Sequence, residues 1–151
     1  MKTSSITATF LALNGAAIAA PSESNIERDL KAFQLTKLTA SLYDQSLPAY
    51  RIVNFDLNDP NNNVDTSCSS AWSGGMSGDY KFNCSNPNYQ VNFPSLYDIE
   101  DIKLNVSVVN SKAFAPGEIN GDKWKCENTG AEYPSKVCKW AGVYDLPIVL
   151  A

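Results

Sequence analysis

The stretch DIKLNVSVV, residues 101–109, decides the fold class. Ile102, Leu104, Val106 and Val108 alternate with Lys103, Asn105 and Ser107, so an extended chain here has one apolar face and one wet face. The same texture runs outward in both directions. Upstream, YRIVNFDL (50–57) keeps Val53, Phe55 and Leu57 in step, TSCSSAW (66–72) and DYKFNC (79–84) follow, and YQVNF (89–93) aligns Tyr89, Val91 and Phe93. Downstream, KWKCE and CKWAGVY read as two more strands, and the terminal LPIVLA reads as an edge strand, since Pro147 limits its pairing to one side. At the front, Phe33 and Leu35 share one parity while Leu38, Ala40 and Leu42 take the other, which predicts a bulge near Lys37. SLYDIED (95–101) is read as a single helical turn, and no longer segment of the domain has a 3.6-residue period. Eight or so short strands divided by Gly, Pro, Asn and Asp clusters predict one all-β domain over 32–151, a small antiparallel β-barrel or sandwich.

The four cysteines sharpen this reading. Their separations of 16, 42 and 12 residues do not resemble the close ligand pairs of zinc sites, and the chain has no histidine. Disulfides remain, with three connectivities open. Parity favours Cys68 with Cys84 and Cys126 with Cys138. If residues 68–84 form a hairpin centred on Met76, Cys68 lies opposite Cys84 and Trp72 opposite Tyr80. The same arithmetic sets Trp124 against Trp140. Between the first pair, the glycine-rich loop holding Gly74, Gly75 and Met76 is the candidate for partner contact.

The N-terminus, MKTSSITATFLALNGAAIAAPSES, has the layout of a secretory signal peptide over 1–19, followed by a polar, flexible leader over 20–31 in which Arg28 is a candidate pro-segment boundary. Export fits an oxidising compartment and two disulfides. Loss of Lys2 with the signal moves the net charge from −4 to about −5, and no basic run is present. Nucleic acid and anionic membranes are therefore not expected partners.

Little in the chain resembles catalytic machinery. Without histidine, Ser-His-Asp and Cys-His catalysis as usually built are absent. Carboxylate pairs are the remaining hydrolytic option, with Asp98, Glu100 and Asp101 clustered and Asp56 near Asp59. DPNNNVD (59–65) offers alternating oxygen ligands, but Val64 stands where a calcium loop needs glycine and Ser70 where it needs a bidentate Glu, so a side-chain-capped turn is the reading taken. No catalytic residue, metal or cofactor is assigned. Two N-glycosylation sequons occur, at Asn105 on the wet face of its strand and at Asn83 beside Cys84.

FQLTKLTA (33–40), RIVNFDLNDP (51–60), two cysteine pairs at this spacing and a hydrophobic terminal strand together resemble the Alternaria major allergen family of fungal secreted proteins, and the hypersensitive-response-inducing elicitors of the same architecture. The resemblance implies a compact β-barrel with two intrachain disulfides and a role as a secreted effector or elicitor at a plant surface, with a host protein as partner. Covalent dimers in that family use an extra early cysteine, and none lies between residue 20 and Cys68, so a monomer or non-covalent dimer is expected. The alternative is a cell-wall carbohydrate-binding or carbohydrate-active protein that stacks sugars on Trp72, Trp124 and Trp140.

Overall fold

A computed structural model describes residues 30–44, 48–74, 76–77, 80–96 and 98–150. The expected signal peptide, Arg28 and Gly75 lie outside these residues. Twelve strands follow one another: β1 (Phe33–Tyr43), β2 (Tyr50–Asp59), β3 (Val64–Ser73), β4 (Met76–Ser77), β5 (Lys81–Asn83), β6 (Tyr89–Leu96), β7 (Ile102–Val108), β8 (Ala113–Ile119), β9 (Trp124–Asn128), β10 (Lys136–Trp140), β11 (Tyr144–Leu146) and β12 (Val149–Leu150). They form two antiparallel sheets. The first has the order β3-β2-β1-β10-β9, with β11 also on β1; the second has the order β12-β8-β7-β6-β4, with β5 also on β6. The fold is a sandwich, and of the two architectures expected the closed barrel is not the one adopted.

Alternation along each strand builds the core. Phe33, Leu35, Leu38, Val53, Phe55 and Leu57 from the first sheet meet Val91, Phe93, Ile102, Leu104, Val106 and Ile119 from the second, all nearly inaccessible to water. The parity switch in β1 is the bulge expected there: its register against β2 shifts between Thr36 and Thr39, and Lys37 takes a positive φ of 51°. One inserted residue returns Leu38 and Ala40 to the core face.

Residues 68–84 do not form the expected hairpin. β3 pairs along its whole length with β2, which sets Trp72 opposite Arg51, whereas β5 pairs with β6 and sets Phe82 opposite Val91. Trp72 packs inward on Phe93 at 5.7 Å and Tyr80 is 55% exposed, so the two do not face each other. The reason is competition: each strand has a sequence neighbour reached by a short turn, and those local pairings leave the 68–84 segment to cross between sheets. Cys68 and Cys84 are nonetheless bonded, with Cα atoms 4.2 Å apart, and they join the edges of the two sheets. The Ser85 N–H donates to the Ser67 carbonyl at 2.8 Å beside them.

SLYDIED forms no helical turn among its described residues, because β6 runs on to Leu96 and only bends follow, from Ile99 to Asp101. The strand β8 was hidden in the sequence by Pro116 and Gly117. Pro116 is tolerated because β12 pairs only with Ala113 and Phe114, leaving that edge of β8 open beyond them. Gly117 has a packing reason: a Cβ there would lie 2.4 Å from Leu146 Cδ1 and 3.2 Å from the Tyr144 hydroxyl, where β11 crosses β8. Leu146 is fully buried and has little room to swing away. Gly117→Ala is expected to cost about 1–3 kcal/mol, seen as a lower urea midpoint at unchanged slope; an unchanged midpoint would show that Leu146 repacks freely.

Candidate functional site

The tryptophans belong to the interior. Trp72 and Trp124 are each 6% exposed, Trp124 donates its indole N–H to the Ile99 carbonyl at 2.9 Å, and half-buried Trp140 packs edge-on against Tyr144 at 4.9 Å. The three therefore do not form the expected stacking surface. Trp124 and Trp140 do sit opposite each other, flanking the bonded pair Cys126–Cys138 in the β9–β10 ladder as their spacing implied.

The exposed aromatic surface is made of tyrosines instead. Tyr43 and Tyr50 are cross-strand partners at the end of the β1–β2 ladder, and their outward parity places them on the outer face of the first sheet with ring centroids 5.8 Å apart. Tyr133 stacks on Tyr43 at 6.3 Å with an interplanar angle of 23°. The 129–135 loop is held in place for this: the Thr129 N–H donates to the Ser135 carbonyl at 3.0 Å, the Thr129 hydroxyl to the Pro134 carbonyl, and both the Ser135 N–H and hydroxyl donate to the Leu42 carbonyl. Tyr133 is 52% exposed and Tyr50 36% exposed, so the group presents ring surface to solvent. Sequence reading missed it because the three residues lie in two separate segments, and only the register of β1, β2 and β10 brings them together.

Gly74 lies next to this surface. Its N–H donates to the Ala49 carbonyl at 2.9 Å and its carbonyl accepts from Arg51 Nη1 at 3.1 Å, so the start of the expected contact loop is tied to the strand end that carries Tyr50. The backbone of Met76 pairs with Leu96 in the second sheet.

From the tyrosines, the outer face continues as rows of mostly small or polar side chains. Ser69, Asn54, Thr39, Lys139 and Lys125 form one row across β3, β2, β1, β10 and β9; Ala71, Ile52, Ser41, Val137 and Glu127 form the next. A shallow depression of about 430 Å³ lies over Lys125, Glu127, Asn128, Thr129, Val137 and Lys139.

The carboxylates are engaged elsewhere. Glu100 pairs with Lys136 at 2.5 Å, Asp98 accepts the Glu100 N–H at 3.1 Å, and Asp56 pairs with Lys37 at 2.8 Å. Asp59 is buried, 1% exposed, and accepts from Asn61 N–H and Nδ2, Asn62 N–H and Nδ2, and the Tyr89 hydroxyl at 2.8 Å. Burial pushes its carboxyl upward, but the donors on the charged form outweigh burial and hold it below its ordinary 3.8. Burial, reinforced by the hydrogen bond to Asp59 and the charge on it, pushes the Tyr89 phenol up to about 12. The asparagine amides of DPNNNVD thus point donors at Asp59, the opposite of what a cation requires, and the segment is the side-chain-capped turn read from sequence. Asn63 completes it with a positive φ of 53°. Lys31, at the end of the polar leader, is bound to the same turn through both its N–H and its carbonyl to Asn61.

Of the two sequons, Asn105 lies on the outer face of β7 as expected but is half-buried between Asn92 and Pro116, whereas Asn83 is exposed at the β5 edge and accepts from Gln90 Nε2 at 3.0 Å. Among the described residues no group of three or more acidic or cysteine side chains is placed to hold a metal ion, and no helix is long and apolar enough to cross a membrane. Compared with protein-family models, with curated proteins and with solved structures, the chain finds no match.

Proposed function

We propose that the protein is secreted and acts by binding rather than by catalysis, as an effector or elicitor at the surface of a plant host, with the outer face of the first sheet as its contact surface. The observation that carries this reading is the Tyr43–Tyr50–Tyr133 group: exposed aromatic rings held by a hydrogen-bonded loop lose little freedom on binding and bring large contact area. Two disulfides in a chain of 151 residues suit an oxidising compartment. The plant-host setting comes from the resemblance of FQLTKLTA and RIVNFDLNDP to the fungal elicitor family. Purified protein infiltrated into leaves is expected to raise a defence response, and a Tyr50→Ala, Tyr133→Ala double variant of unchanged circular dichroism a much weaker one. Silence of the folded wild-type protein across several plant species would end this reading.

A further inference from the structure

We infer that this outer face binds an acidic oligosaccharide, with the tyrosines and the Ile52–Val137 strip taking sugar faces and Lys125 and Lys139 taking the acid groups. The inference rests on the reading of this face as the contact surface and names the chemistry of what it contacts.

The lysines carry the first half of the argument. Lys125 and Lys139 are directly opposite each other in the β9–β10 ladder, both exposed, and neither has an ion-pair partner among the described residues. Like charges at directly opposed positions weaken a ladder. The chain has a net charge of −4 and sets Lys37, Lys103 and Lys136 in ion pairs; Lys81 in β5 is unpaired but stands opposite Asn92, so among the described residues Lys125 and Lys139 are the two unpaired strand lysines set against each other. Glu127, one row away on the same face and also lining the depression, bridges to neither lysine. An anion seated between the two ammonium groups removes their repulsion. The depression of about 430 Å³ beside them gives room for one acid-bearing ring.

The second half is placement. Thr39 pairs with Lys139 in the same row, and Tyr43 lies four residues further along β1 on the same face. At about 3.4 Å per residue the doublet and the tyrosines are about 14 Å apart along the strand direction, with Ser41, Ile52 and Val137 between them. An aromatic end, a row of Ile52, Ser41 and Val137 that mixes apolar and hydroxyl side chains, and a cationic end match a chain of rings whose flat C–H faces alternate with hydroxyl edges and an acid. A folded protein partner is less well served, because the depression on this face is lined by polar and charged side chains with Val137 the exception, and gives an apolar anchor little to fill. Nucleic acid is less well served, because the doublet offers two cations at one point rather than the basic stripe that tracks a phosphate backbone.

The test is calorimetric titration of the intact protein with four probes: an oligogalacturonate, its fully methyl-esterified form, a sulfated oligosaccharide of similar length and a single-stranded DNA oligomer. The oligogalacturonate or the sulfated chain, or both, should bind, and which one binds more tightly separates carboxylate from sulfate as the acid. A Lys125→Gln, Lys139→Gln double variant should bind the acidic probe about tenfold more weakly and with a flatter salt dependence. Tyr133→Ala, checked for an unchanged melting temperature, should weaken it about fivefold or more. The esterified form should bind wild type no better than the acidic probe binds the lysine variant. No binding of either acidic oligosaccharide, an undiminished affinity in the lysine variant, or equal binding of DNA would overturn the inference. Leaf infiltration separates it from the broader reading: a protein that elicits a response but binds no acidic oligosaccharide fails here alone, and one that binds but elicits nothing fails only as an elicitor.

Discussion

Replacing Asp59 with alanine is expected to lower stability by about 3 kcal/mol at neutral pH, the largest effect of any single polar substitution in the described chain. The carboxylate receives five hydrogen bonds, and it joins the β2–β3 turn to Tyr89 at the start of β6, in the opposite sheet. Its loss strands donors of two kinds. The asparagine amides sit at an exposed turn and regain water cheaply. Tyr89 is 3% exposed, in a wall that includes Phe33 at 6.3 Å, and its hydroxyl regains little. Asp59→Asn should cost less, about 2 kcal/mol, since it keeps an acceptor oxygen while turning an amide donor toward the asparagines. Urea titration of the three proteins measures both values, and a loss below about 1 kcal/mol in the alanine variant would mean that water reaches Tyr89.

The same network sets a pH dependence at each end of the scale. Asp59 titrates below its ordinary 3.8 in the folded chain, so its contribution is present above the unfolded value and is lost as pH falls through the folded one. Tyr89 is raised from 10.0 to about 12, so its contribution is complete below pH 10.0 and is lost as pH climbs toward about 12. In the Asp59→Ala variant the acid-side slope below the ordinary carboxyl value of 3.8 should flatten relative to wild type. An unchanged slope would assign acid lability to other carboxylates.

Removing the Cys68–Cys84 bond by a double alanine substitution is expected to cost about 3 kcal/mol, and removing Cys126–Cys138 distinctly less. Chain entropy alone hardly separates loops with sequence separations of 16 and 12 residues. The folded state separates them. Cys126 and Cys138 lie inside a ladder of five residue pairs from Lys136–Asn128 to Trp140–Trp124, which holds the two strands in register without the covalent bond. Cys68 and Cys84 join two sheets that share no ladder at that edge, where the neighbouring ties are the Ser85–Ser67 backbone bond, the contact of the Ser67 and Ser85 hydroxyls at 2.8 Å and the Asn86 N–H donated to the Thr66 hydroxyl at 2.9 Å. Urea midpoints of the two double variants decide the matter, and equal losses would leave loop entropy as the whole account.

How much of the fold the sequence discloses depends on the range of the interaction. The β7 alternation, the bulge at Lys37 and the facing pairs Cys126–Cys138 and Trp124–Trp140 were all legible, since each follows from side-chain period two within a strand or across a short connection. β8 was not, because Pro116 and Gly117 look like breakers until the open edge and the close approach of Leu146 are known. The Cys68–Cys84 pairing was read correctly from a hairpin that does not exist. Period two places both sulfurs on inward faces, and in a sandwich two inward faces meet whether they belong to one sheet or to two.

The amino-acid sequence by itself determined the strand texture, the all-β class, the facing of Cys126 and Cys138, the capped turn at Asp59 and the absence of histidine chemistry, all of which are properties of residue type and near-neighbour spacing. Only the tertiary structure decided which aromatics are buried and which are presented. Trp72 and Trp124 took core positions, while Tyr43, Tyr50 and Tyr133 were gathered on one outer face beside the Lys125–Lys139 doublet. That outcome depends on which strands neighbour which, and strand order is set by the summed burial of both sheets, a quantity no local window contains.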